Sequence, residues 1–77
     1  MKIRKETLKR TNIGFPSEFI CETEEGKEVT ISYRYGKIKI FLEGTLKEET
    51  EKDGFDIGGY LSDEDLMMVL ERDGYID

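Results

Sequence analysis

The fold is decided by Val29-Thr30-Ile31-Ser32-Tyr33-Arg34, the pair Tyr35-Gly36, and Lys37-Ile38-Lys39-Ile40-Phe41-Leu42. Val29, Ile31 and Tyr33 alternate with Thr30, Ser32 and Arg34, while Ile38, Ile40 and Leu42 alternate with Lys37, Lys39 and Phe41. Period two, carried by β-branched and aromatic residues, predicts two strands that each bury one face. Tyr35-Gly36 predicts a two-residue hairpin turn in which Gly36 supplies a positive φ. That loop sets Arg34 opposite Lys37, Tyr33 opposite Ile38, Ile31 opposite Ile40 and Val29 opposite Leu42. These apolar residues then share one face, and the other face receives Thr30 with Phe41 and Ser32 with Lys39. A one-residue slip would turn one strand's apolar set into water. The like-charge pair of Arg34 and Lys37 calls for a nearby carboxylate or for solvent.

Toward the N-terminus, Glu18 to Thr23 forms a second strand. Glu24-Glu25-Gly26 suits a three-residue loop, a type I turn closed by glycine in the left-handed region. Phe19 then faces Ile31, Cys21 faces Val29, and Ile20 lies on the outer side near Thr30, Ser32 and Phe41. A four-residue loop would turn Glu18 and Glu22 toward the core, so the shorter loop is preferred. Lys2 to Thr11 reads as a basic edge strand. Ile3 and Leu8 have opposite parity, so this strand needs a bulge. Asn12-Ile13-Gly14-Phe15-Pro16 joins it to the next.

Toward the C-terminus, residues 44–61 read as a long acidic connection broken by Gly44, Gly54 and Gly58-Gly59. Lys47 to Gly54 is expected to be a solvated loop, with Phe55, Ile57 and Tyr60-Leu61 re-entering the core. A helix over 63–73 follows. Ser62 is its N-cap, and Asp63, Glu64 and Asp65 meet the positive end of the dipole. Leu61 and Leu66 form a hydrophobic staple. Leu66, Met67, Val69 and Leu70 make the buried stripe, Gly74 ends the helix, and Tyr75 and Ile76 fold back on it. The expected fold is α+β in a single small domain: a three- or four-stranded antiparallel β-meander with one C-terminal α-helix packed on one face.

Composition limits the chemistry. The 77 residues include no His, Trp, Ala or Gln, so His-based triads, acid–base pairs and metal sites are excluded. Charged residues make up 39%, against a usual share of about 25%. The longest apolar run is the five residues Leu66 to Leu70, far short of the ~20 that span a membrane. No membrane association is expected, and with no apolar stretch after the basic N-terminus the expected location is cytoplasmic. One cysteine, Cys21, excludes an internal disulfide framework and is expected to be a core residue. Two Gly-centred stretches fail as calcium loops: around Gly74 an apolar Val69 takes the first ligand position, and around Gly54 an acid and an aromatic fall where an apolar residue and Glu belong. No catalytic residue, cofactor or metal ligand is expected.

Charge is uneven along the chain. Residues 1–10 carry five bases and one acid (+4), whereas residues 41–77 carry three bases and twelve acids (−9). A negative field of that size disfavours nucleic acid and favours a basic protein partner or simple solubility. The first functional expectation is therefore a small non-enzymatic protein-binding module or inhibitor. One form is a nucleic-acid mimic of the kind phage use against host nucleases, with carboxylates standing in for phosphates. Its contact residues would be Glu48, Glu49, Glu51, Asp53, Asp56, Asp63 and Glu64. The alternative is a structural or oligomerising accessory protein, acting through an edge strand or through Ile20 and Phe41 on the sheet's outer face, as in a homodimer.

Overall fold

A computed structural model of the chain describes residues 1–52 and 59–76. Five strands, β1 (Ile3–Asn12), β2 (Ser17–Thr23), β3 (Glu28–Arg34), β4 (Lys37–Leu42) and β5 (Thr45–Glu51), form one antiparallel sheet in sequential order. One helix, α1 (Asp63–Arg72), follows. The class is α+β as expected, but the strands number five rather than three or four.

The β3–β4 ladder has the expected register, from Val29 with Leu42 through Ile31 with Ile40 to Arg34 with Lys37. The β2–β3 ladder likewise pairs Phe19 with Ile31 and Cys21 with Val29. Its loop closes as expected: Gly26 has φ 87° and donates to the Thr23 carbonyl at 2.9 Å. In the tighter turn Tyr35 itself has φ 53° beside Gly36 at 80°. Both positions are left-handed, as a type I′ turn requires, so glycine does not carry the turn alone.

β1 contains the bulge that parity demanded. Arg4 pairs with Glu22 and Lys9 with Ile20, so four residues on β1 stand opposite Cys21 alone. Thr7 fills the gap: its hydroxyl accepts from the Glu22 N–H at 2.8 Å and donates to the Arg4 carbonyl at 2.6 Å. Ile3 thereby reaches the core while Leu8 packs against its margin.

β5 overturns the expectation of a solvated loop at Lys47–Gly54, at least as far as Glu51. Glu43 (φ 49°) and Gly44 (φ 84°) repeat the turn geometry of Tyr35-Gly36, and Lys47 is the extra residue of a bulge between the Phe41–Leu46 and Ile40–Glu48 pairs. An almost wholly polar strand forms there on the backbone ladder of β4, which also sets complementary charge opposite it. Lys39 lies opposite Glu49, at 3.9 Å between charged atoms, and Lys37 lies opposite Glu51. Glu51 thus stands beside Lys37 of the Arg34–Lys37 pair, on the side away from Arg34.

The inner face holds Phe19, Cys21, Val29, Ile31, Tyr33, Ile38 and Ile40, packed with Leu61, Leu66, Val69, Leu70, Tyr75 and Ile76. Leu42 and Met67 are only partly buried. Full burial of one such side chain contributes roughly 1.5–3 kcal/mol. The Ser62 hydroxyl caps the helix by accepting from the Asp65 N–H at 3.1 Å. At the other end Gly74 (φ 82°) donates to the Glu71 carbonyl and Tyr75 to that of Leu70, a Schellman closure. That closure turns Tyr75 and Ile76 into the core, where the Tyr75 carbonyl accepts from Ile3 N–H at 2.8 Å. Leu61 is fully buried, but Tyr60 is 59% exposed and does not re-enter the core as expected. Phe55 and Ile57 lie outside the described residues.

Candidate interaction surfaces

The strands alternate, so every second residue faces away from the helix. Register places these residues in transverse rows. One row runs Lys9, Ile20, Thr30, Phe41 and Leu46 across all five strands. A second runs Asn12, Glu18, Ser32, Lys39 and Glu49. The turn end of the face carries Arg34, Lys37 and Glu51, and the opposite end carries Arg4, Glu22 and Glu28. Ile20 is 37% exposed and Leu46 50%, with Phe41 half-buried between them. Ile20 and Phe41 thus lie on the outer face as expected, two strands apart in one row. Leu46 is the member of this row that sequence reasoning missed, because β5 itself was missed.

The acidic candidates do not form one surface. Glu49 and Glu51 share the outer face, whereas Glu48 lies on the inner side, where its carboxylate accepts a hydrogen bond from the Tyr75 hydroxyl. Burial, this hydrogen bond and the nearby negative charge push the Tyr75 phenol well above its ordinary range. Asp63 stands at the helix N-terminus and pairs with Arg10 at 2.8 Å, and Glu64 is exposed beside it. Asp65 pairs with Lys52 at 3.3 Å. Asp73 pairs with Arg72 at 2.9 Å, and that guanidinium, aided by the Thr50 hydroxyl, holds its carboxyl below the usual value. Asp53 and Asp56 lie outside the described residues.

Arg10 belongs to the fold rather than to a basic surface. Its guanidinium lies 4.5 Å over the Phe19 ring and donates to the Leu61 carbonyl at 2.6 Å. Together with the Asp63 pair, these contacts tie β1 to the chain entering α1. Ser17 strengthens the same junction: its buried hydroxyl accepts from the Leu61 N–H at 3.0 Å. Arginine suits this place because its stem and planar head pack while its donors reach several acceptors.

At the turn end of the sheet lies a cluster that sequence reasoning did not find. Phe15 packs edge-to-face on Tyr35, with centroids 5.2 Å apart, and the Arg34 guanidinium lies 5.2 Å over the Phe15 ring. Phe15 is 51% exposed and Tyr35 61%. A shallow depression beside them is lined by Pro16, Arg34, Tyr35, Lys37, Lys39 and Glu49. Gly59 backs this cluster, since an added Cβ would come within 1.9 Å of the Phe15 ring. The signal in the sequence was Gly58-Gly59, but nothing local says which ring needs the space.

Cys21 is buried, and burial pushes its thiol up to about 11, so it is a thiol rather than a thiolate at neutral pH. Among the described residues no group of three or more Cys, Asp or Glu side chains is placed to hold a metal ion. Among them, too, no helix is long and apolar enough to cross a membrane. Comparison with protein families, curated proteins and solved structures finds no match to this chain.

Proposed function

We propose that the chain is a small non-enzymatic interaction module whose docking surface is the outer face of the sheet. One observation carries this reading. α1 packs on the inner face, while Ile20, Phe41 and Leu46 stand in a single register row on the other, framed by charged side chains. An apolar centre inside a polar rim is the composition of a protein–protein contact. Phe41→Asp tests it. The variant should keep the far-ultraviolet circular dichroism and thermal midpoint of the wild type, and it should lose the complexes that the wild-type chain forms in an extract of its own cells. Equal capture by both baits overturns the reading.

A second reading keeps the acidic half as the contact for a basic partner, with phosphate mimicry as its most specific form. It is favoured by the −9 balance of residues 41–77 and by exposed Glu64 in the first helical turn. Against it stand the internal partners of Glu48, Glu49 and Asp63. Such binding should weaken steeply with salt and be competed by DNA; salt-insensitive binding overturns it.

A further inference from the structure

Two cross-strand pairs on the outer face have like charge. Glu22 lies directly opposite Glu28 at one end of β3, and Arg34 lies opposite Lys37 at the other. Like charges directly opposite are unfavourable within a sheet. Each pair has one opposite charge beside it along its row, Arg4 next to Glu22 and Glu51 next to Lys37. Glu28 and Arg34, on the central strand, have none in those positions. Among the described residues, neither is in an ion pair within the chain. Exposed Glu43, whose N–H bonds the Glu28 carbonyl at 2.9 Å, extends the acidic end toward β4. The two central strands are therefore polarised, with Glu28 and Glu43 at one end, Arg34 and Lys37 at the other, and Thr30 and Phe41 of the apolar row between.

From this polarity we infer that the occupant of the outer face is a second copy of this chain, packed face to face with its strands running in the opposite direction. The inference rests on the reading of that face as the docking surface. A two-fold axis lying across the strands sets Arg34 over the second copy's Glu28, and Lys37 over its Glu43, at both ends at once. An axis along the strands would stack Arg34 on Arg34, so charge selects the first arrangement. The axis then lies at the level of Ile31, so the two apolar rows stand one residue to either side of it, each over the other copy's Glu18–Ser32–Lys39–Glu49 row. Contact between the rows comes from side chains interdigitating across the axis. Five strands ~4.8 Å apart and six or seven residues long at ~3.3 Å each give a face of roughly 500 Å². Two such faces bury on the order of 1,000 Å², near the lower bound for a specific interface, so the dimer is a weak one that salt dissociates.

Sedimentation velocity across a concentration series, together with charge exchange, tests it. The wild-type chain should dimerise at high micromolar concentration, and added salt should weaken the dimer. Glu28→Arg alone and Arg34→Glu alone should each dimerise about tenfold or more weakly. An equimolar mixture of the two variants should recover a heterodimer, because both contacts across the axis are again complementary; the double variant should recover a homodimer. A wild-type monomer throughout overturns the second copy as occupant and leaves the outer-face reading to the Phe41→Asp capture comparison. A dimer unaffected by Phe41→Asp and by Leu46→Lys, both checked for folding by circular dichroism, overturns this inference and takes dimerisation away from that face. A dimer lost in those variants but not recovered by mixing the charge variants overturns the arrangement.

Discussion

The chain makes two hairpins with the same turn. At Tyr35-Gly36 and again at Glu43-Gly44, two successive left-handed residues join strands in a two-residue loop. Around the first turn lie β3 and β4, whose apolar residues are fully buried at Ile31, Tyr33, Ile38 and Ile40. Past the second lies β5, where Leu46 is half exposed and the remaining residues are polar. Backbone geometry is shared; what holds the strands is not. The first hairpin is bound by burial that β2 and α1 complete. The second is bound by its ladder, by Lys39–Glu49, and by the helix end reaching over it, with Tyr75 on Glu48 and Arg72 on Thr50 and the Glu51 carbonyl. A strand can therefore be recruited by an existing edge without a hydrophobic pattern of its own.

The largest effects should separate the two hairpins. Ile31→Ala removes a fully buried side chain from β3 and should cost about 2–5 kcal/mol, enough to unfold much of a small domain in chemical denaturation. Thr50→Ala on β5 should cost under about 1 kcal/mol in the same measurement. Equal losses would break the distinction. Next comes Arg10→Met, which keeps much of the bulk over Phe19 but removes the donors to Leu61 and Asp63. We expect a loss of roughly 1.5–3 kcal/mol with an intact central ladder, seen as faster hydrogen exchange at the helix N-terminus than at Ile31.

Smaller effects sharpen the comparison. Glu43→Asn places a residue that tolerates left-handed backbone at a strained position and should raise stability by up to about 1 kcal/mol. Tyr35→Asn relieves the same strain but gives up the ring contact with Phe15, so its gain should be the smaller of the two. A larger gain at Tyr35 would show that the aromatic contact stabilises nothing. Smallest near neutral pH is the titration of Tyr75. Its folded phenol is raised from 10.0, so its contribution is complete below that value and falls as pH climbs through and beyond it. Tyr75→Phe should flatten the alkaline limb of the stability profile, leaving the burial of Cys21, raised from 9.0 to about 11, as a remaining alkaline term. An unchanged alkaline limb would place Tyr75 outside the coupling of β5 to the helix end.

The central hairpin was legible because its two signals agree. Period-two burial and a glycine turn both point to one register, and any shift exposes a whole apolar set. The bulge in β1 was legible from the parity of Ile3 and Leu8, although its plug, the Thr7 hydroxyl, was not. β5 was misread because Thr45 to Glu51 has no apolar alternation. Its one local sign, Glu43-Gly44 directly after a strand, is weaker than the acidic run that follows it. Of the candidate surface, Ile20 and Phe41 were legible through register, and Leu46 was lost with β5. The Phe15–Tyr35–Arg34 cluster could not be read, since it joins a loop to a turn twenty residues away.

By itself the sequence determined the α+β class, the β2–β3–β4 register, the capped helix and the absence of histidine chemistry. These follow from local turn geometry and from alternation, which neighbouring residues impose on one another. Only the tertiary structure decided that a polar segment becomes a fifth strand, that Arg10 is a structural tie, and that like-charge pairs of opposite sign stand at the two ends of one open face. Such facts depend on which edge a segment meets and which side chains share a row, and side chains far apart in the chain acquire those neighbours only when the sheet forms.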